Sequence, residues 1–389
     1  MIGTKMKAKA FLWLLLTTSL VARGDSFSLA YNHHSTSNLF QTSEALADTM
    51  SSFGLFLDND WGGLSFLSDL RYVLFRENPG LSFGTVNLGL DYLKPSGTKS
   101  AFYFAAGGSG SFFRSEWNAL DSLSFDLAAA FKTYLAPSSI LKVQSRSVYA
   151  SYRYALFDDL NQVLSLSLDK FFPSLTTLKT EASWRYKHFL HPFSGTVPDV
   201  PGIPVMPGGP IYRGGHGFVP IFDPDGGGAG IQSASLAALA AQGLGSRVGI
   251  SLSGLRQWTL SGENPFASIT EFYLVKNPTF DEFSWEGWMI NFLLTALLPY
   301  DIECQVGYTY SDKGFPGIEV LTAEGEPTGV PRNDTRSSFE ARLDKTFPRL
   351  TVFLAYSWVD NRSTDPLFAW SSPAVLAGIE WRFPLGRKE

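Results

Sequence analysis

The 389-residue sequence has one cysteine, Cys304, so no internal disulfide can form and the usual staple of small secreted domains is excluded. Charged residues make up only 17% of it, below the roughly 25% of soluble domains. Lys+Arg total 31 against Asp+Glu 36, so the basic face that a nucleic-acid partner needs is missing. Beyond residue 24 no apolar run reaches the length of a spanning helix. The nearest, 288–298, is interrupted by Asn291 and Thr295. No Gly run is followed by Gly-Lys-Ser/Thr, which excludes a phosphate loop. Aromatic residues are plentiful at 15%, with 32 Phe, which is too apolar for disorder.

The first 24 residues read as a Sec-type signal peptide: Lys5, Lys7 and Lys9, an apolar stretch over 10–21, then Ala22-Arg23-Gly24 with small residues at the cleavage positions. The alternative, a permanent helical anchor, requires a longer apolar run. Cleavage removes four of the 31 cations and no acid, so the mature chain carries 27 against 36, a net charge of −9.

The mature chain alternates. Phe53-Leu55-Leu57, Val86-Leu88-Leu90-Tyr92, Leu123-Phe125-Leu127-Ala129-Phe131, Leu164-Leu166-Leu168, Cys304-Val306-Tyr308-Tyr310 and Leu350-Val352-Leu354-Tyr356-Trp358 recur at every second position, the period of a strand with one apolar face. The other face carries small residues and charges of both signs, as in Asn87-Gly89-Asp91, Ser124-Asp126-Ala128 and Lys179-Glu181-Ser183-Arg185-Lys187. These segments run about 9–15 residues, longer than the 5–6 of ordinary strands and suited to crossing a bilayer at a tilt of about 45°. Turn signals alternate between short (59–60, 94–97, 137–139, 172–174, 261–264, 299–301, 347–349) and long (39–48, 77–82, 114–119, 157–161, 191–245, 278–284, 312–335, 362–371). The expected fold is therefore all-β: a transmembrane antiparallel up-and-down β-barrel of about sixteen strands, fourteen being the alternative, built from residues 25–389 with both termini on the short-turn side. Residues 168–176 and 343–351 share the pattern Leu-Asp-Lys-x-Phe-Pro-x-Leu-Thr, from duplication or from two turns converging on one chemistry.

The alternation Val375-Ala377-Ile379-Trp381-Phe383 resembles the carboxy-terminal signal by which the outer-membrane assembly machinery recognises its barrels, although residues 384–389 follow the aromatic. With 31–40 and 360–366 it makes the chain resemble bacterial porin-like outer-membrane β-barrels, among them the modules found beside surface-polysaccharide export and surface-lipoprotein assembly. The resemblance implies outer-membrane lipid and the barrel assembly machinery as partners, a periplasmic or surface partner as a further option, and the bacterial outer membrane as location.

Residues 191–245 hold eight of the 22 prolines and only four charges, Asp199, Arg213, Asp223 and Asp225. Such a loop either folds into the barrel mouth as a constriction or is a mobile or partner-binding external flap. Ser233 and Ser235 before Leu236-Ala237-Ala238-Leu239-Ala240-Ala241-Gln242, with Gly243 after, suggest a short helix, whose Leu236 and Leu239 would dock the loop in the barrel mouth as a constriction. Asp223-Pro224-Asp225 lacks the closing Glu of a calcium loop and reads as a turn. His33, His34, His188, His191 and His216 fall toward the outer half without metal spacing, and no Ser/His spacing singles out a triad. No cofactor, metal or catalytic residue is assigned.

By parity, Arg71, Lys132, Arg153, Lys179, Arg185, Lys187, Arg247, Arg342 and Arg382 should face the lumen together with Asp69, Asp91, Asp126, Asp169, Glu181, Glu303, Glu340, Asp344 and Glu380. Their balance suggests weak ion selectivity, or a cross-wall salt-bridge network that closes the lumen. The leading expectation is a non-enzymatic pore for small solutes or a surface polymer. A non-conducting structural or adhesive barrel and a barrel enzyme acting on lipid or polysaccharide are the alternatives.

Overall fold

The computed structural model describes residues 26–384 except 40, 42, 44, 115–117, 119–120, 154–157, 191–229, 263–284 and 323–326. The segment 1–24, expected to be a signal peptide, and most of the proline-rich loop therefore lie outside the described residues. Sixteen strands run in order: β1 Ser26–Thr36, β2 Asp48–Asp60, β3 Leu64–Phe75, β4 Phe83–Ser96, β5 Ser100–Phe113, β6 Ser122–Ala136, β7 Ser139–Tyr152 and β8 Asp159–Phe171. Then follow β9 Thr176–Phe189, β10 Gly230–Leu244, β11 Val248–Ser261, β12 Glu286–Leu298, β13 Ile302–Leu321, β14 Pro327–Thr346, β15 Leu350–Ser363 and β16 Trp370–Pro384. Each pairs antiparallel with its sequence neighbour, and β1 pairs with β16, so the barrel is closed. The seam is fixed by Phe27 stacked on Phe383 at 4.6 Å. Closure satisfies every strand's hydrogen-bonding edge, which a bilayer core demands. Sixteen strands 4.8 Å apart at about 40° tilt enclose a backbone cylinder roughly 30–35 Å across.

Period-two sequence makes the two faces of this wall. Leu90, Phe125, Leu127, Leu166, Leu252, Leu354 and Trp381 are exposed on one face, Leu127 at 63% and Phe125 at 60%. On the other face side chains converge. Arg185 of β9 reaches over β10 to Gln257 of β11 at 3.4 Å, which is open to it because β10 presents only Ser233 and Ser235 there. That face is the concave one. No helix among the described residues is long and apolar enough to cross a membrane.

At the long-connection end, acids tie off the strands. Asp48 accepts the backbone N–H groups of Arg76, Glu77 and Asn78 at 3.0–3.2 Å. Asp121 accepts that of Phe113 at 2.7 Å, and Asp158 that of Tyr152 at 2.7 Å. Donors at the strand ends and in the connections beyond them are thus held by charge-assisted bonds, with Arg76 N–H shared between Asp48 and the Thr49 carbonyl.

Three expectations fail locally. The helix expected over 236–242 is the middle of β10, hydrogen-bonded on both sides to β9 and β11. Ladder pairing along two edges overrides the helical preference of Leu and Ala. The short turn expected at 261–264 falls instead at 245–247, where Gly245 takes φ 69°, and residue 262 sits at the opposite end. The strand expected after 264 lies outside the described residues, and β10 stands among the sixteen that close the barrel. In addition, β13 and β14 extend to Leu321 and Pro327 through a bulge after Gly314, so much of 312–335 is strand rather than connection. The two Leu-Asp-Lys repeats both form short turns but close differently. Phe172 N–H donates to Thr176, whereas Phe347 N–H donates to Leu350.

Candidate pore interior

Strand register puts Arg71, Asp91, Asp126, Asp169, Glu181, Arg185, Glu303, Arg342 and Glu380 on the concave face. Their partners lie close along the wall. Arg71 meets Asp69 at 3.4 Å, Lys179 meets Glu181 at 3.0 Å, Arg342 meets Asp344 at 2.6 Å and Arg382 meets Glu380 at 3.8 Å, each pair two residues apart on one strand. Asp91 accepts the Tyr103 hydroxyl at 2.7 Å, and Glu303 accepts from Gln305 at 2.7 Å. Asp126 pairs with Arg146 of the adjacent strand. Lys187 and Asp159, also on adjacent strands, form a fully buried pair at 3.5 Å. Strand geometry explains the habit: residues i and i+2 project from the same face about 7 Å apart, within reach of a long cation and a short acid. These ion pairs lie within a strand or between neighbouring strands, and none of them reaches across the lumen.

Arg153 does not belong to this face. The sheet ends at Tyr152, where Asp158 takes the amide, so Arg153 leaves the wall and meets Asp121 at the rim at 3.6 Å. Asp121 is buried there, and burial pushes its carboxyl above the usual carboxylate range, against the opposing pull of the Phe113 N–H and Arg153. Arg247 stands in the tight turn before β11. Leu236 faces outward at 54% exposure, and Leu239 shares the concave face with its partner Lys179; both are wall residues and neither belongs to a constricting loop. Lys142 and Arg146 of β7, missed by sequence reading, are concave: their partners across the ladder are Lys132 and Ala128. Ser145, Ser147 and Tyr149 on the other parity blurred the apolar signal that would have found them.

The concave face has a pattern around the ring. Strands β6–β9 carry the cations Lys132, Lys142, Arg146, Lys179, Arg185 and Lys187. Strands β10–β12 carry instead Ser235, Ala237, Ser253, Leu255, Asn291 and Thr295, with no charge among the described concave positions. Across β12–β16 and β1 lies a recess of about 260 Å³, lined by His34, Gln305, Glu340, Arg342, Ser357 and others. It offers one cation, one acid and neutral donors side by side. His33 and His188 take the outward parity, opposite to His34, so the described histidines do not converge. Cys304 shares the outward face with Val306 and Tyr308, as its parity suggested.

The chain resembles porin-like outer-membrane barrels. Solved structures that match it include Pseudomonas aeruginosa OpdO, at 10% identity, a TM-score of 0.46, and coverage of 93% of this chain and 97% of that one. Acinetobacter baumannii OccAB1 matches at 8% identity, a TM-score of 0.49, and coverage of 93% and 96%. A bacterial polysaccharide outer membrane secretin matches at 9% identity, a TM-score of 0.48, and coverage of 92% and 99%. At such identities the likeness is one of fold alone. No protein-family model and no curated protein matches the chain.

Proposed function

We propose that this chain is a pore of the bacterial outer membrane that passes small solutes, with no chemistry of its own. The observation that carries the reading is the wall itself: a closed barrel with an apolar outer face, and a lumen face on which the described charges pair along the strands. In this reading residues 1–24 direct export, and β16, ending at Phe383 and Pro384, is the strand offered to the barrel assembly machinery. Outer-membrane lipid covers Leu127, Leu166 and Leu354. Inside, Arg71, Asp91, Asp126, Asp169, Glu181, Arg185, Glu303, Arg342 and Glu380 set what passes. Near-balanced and mostly self-paired charges favour weak ion selectivity. Proteoliposomes made with the purified barrel should swell in isotonic solutions of small sugars, at rates that fall with solute size. Liposomes that stay as tight as protein-free ones would favour the non-conducting structural barrel instead.

A further inference from the structure

The connection 37–47 lies between the first two strands, where an ordinary barrel loop would stand out into water. Its Leu39 is fully buried and Asn38 nearly so. The side chains packed with Leu39, and with the partly buried Leu46, are Met50, Val73, Phe75, Leu81, Phe83 and Phe113. Five of these six belong to β2, β3, β4 and β5. By register each of the five shares a face with the lumen residues of its own strand: Met50 with Phe56, Val73 and Phe75 with Asp69 and Arg71, Phe83 with Asn87 and Asp91, and Phe113 with Tyr103. Phe83 stacks on Phe113 at 4.8 Å and tilts on Phe75 at 6.3 Å, which makes one continuous apolar bed on the inner wall. A side chain packed on inward-pointing residues must itself lie inside the ring of strands.

The loop is also pinned on its other side. Ser37 N–H donates to the Pro373 carbonyl at 3.4 Å, and the Ser37 hydroxyl lies 2.9 Å from that of Ser372. Ser43 N–H donates to the Leu367 carbonyl at 2.8 Å, and Leu39 N–H closes the loop on the Leu46 carbonyl at 2.7 Å. One end of the connection is therefore anchored beside β16 and its apolar side on β2–β5. We infer that the described residues of this connection, 37–39, 41, 43 and 45–47, form a fixed shelf folded into the barrel, and that this shelf narrows the long-connection mouth and sets the size limit of the pore. This rests on the pore reading for its functional half and on packing alone for its position.

The shelf follows β16 and β1–β5, about six of the sixteen strands. A layer about 10 Å thick along that arc takes roughly a third of a lumen about 20 Å wide once wall side chains are counted. Replacing Leu39 and Leu46 together by Ser leaves the strands intact and removes the apolar hold. Single-channel conductance should then rise about 1.5-fold, and larger sugars should enter. A parallel measurement reports position without relying on conductance. In a Cys304→Ser background, Val73→Cys should resist a water-soluble maleimide while the shelf is packed and react at least tenfold faster in the double-Ser variant. Equal reaction rates in the two forms would overturn the shelf. Labelling that becomes fast while conductance stays within a tenth of its original value would overturn its role as the limiting constriction. If neither form conducts but the labelling contrast holds, the pore reading fails and the inward position of the loop stands.

Discussion

Placing an arginine at Leu88 and, separately, at the adjacent Asn87 tests the two-faced wall most sharply, because one residue of displacement moves the charge through the barrel wall. Strand β4 runs fourteen residues from Phe83 to Ser96. At about 2.5 Å of depth per residue for a tilted strand, its centre falls near residues 89–90, within about 5 Å of Leu88. Leu88 shares its face with Leu90 and Tyr92, both exposed large hydrophobics. Leu88→Arg therefore puts a guanidinium near the bilayer midplane and should cost roughly 2–4 kcal/mol. Asn87 is on the lumen face and already donates to Asp69 at 3.4 Å. Asn87→Arg adds a second cation beside that carboxylate in a wet lumen, where a pair is worth about 1 kcal/mol or less. The assay is a guanidinium titration of the barrel folding into lipid vesicles, followed by tryptophan emission. A folding loss for Leu88→Arg at least about 2 kcal/mol larger than for Asn87→Arg is expected. Equal losses, or the reverse order, would refute the assignment of faces for β4 and, through its unbroken register with β3 and β5, for that whole side of the wall.

Other outcomes follow from single sites. Arg146→Ala leaves Asp126 without its cation in the lumen, so the reversal potential in a salt gradient should shift toward cation preference; an unchanged potential would mean that the pair does not face the ion path. Gly378 has no room for a Cβ, which would overlap the Phe353 ring and the Asn32 amide, and Phe353 is in turn covered by Arg342 at 4.1 Å. Gly378→Ala should therefore cost about 1–3 kcal/mol in the same titration, whereas Gly249→Ala, with open space around it, should cost less. For Asp121 the folded carboxyl lies above its unfolded value, so the folded state holds the proton longer. Its contribution to stability is then greatest at low pH and declines as pH rises from the ordinary carboxylate value through the raised one. Asp121→Asn should flatten that decline in a pH series of thermal melts, and a profile identical to the parent would contradict the burial argument.

The architecture was legible because membrane strands are long and one-sided: Leu123 to Phe131 and Leu350 to Trp358 state their own faces. Legibility failed where two physical signals competed. Leu236-Ala237-Ala238-Leu239-Ala240-Ala241 reads as a helix from local propensity, and only the pairing of Ala237 with both Glu181 and Leu255 reveals the strand. A helix at those residues would move the next turn from Gly245 to residue 262. Lumen charges were found where the outward partner was apolar, as at Asp169 between Leu166 and Leu168 on the one side and Lys179 across the ladder. They were missed at Arg146, where Ser145 and Ser147 face outward. The shelf at 37–47 was invisible for a different reason. Leu39 and Leu46 are ordinary loop residues until the inner-wall bed of Met50, Val73, Phe83 and Phe113 is assembled from strands distant in sequence, and no local pattern announces that bed.

The most direct test of the central claim is single-channel recording of the purified, heat-modifiable barrel in a planar bilayer. A water-filled lumen is expected to give discrete, salt-proportional steps with nearly ohmic current and weak ion preference. A folded barrel that inserts yet produces no steps at any voltage would contradict the pore and leave a structural barrel in its place.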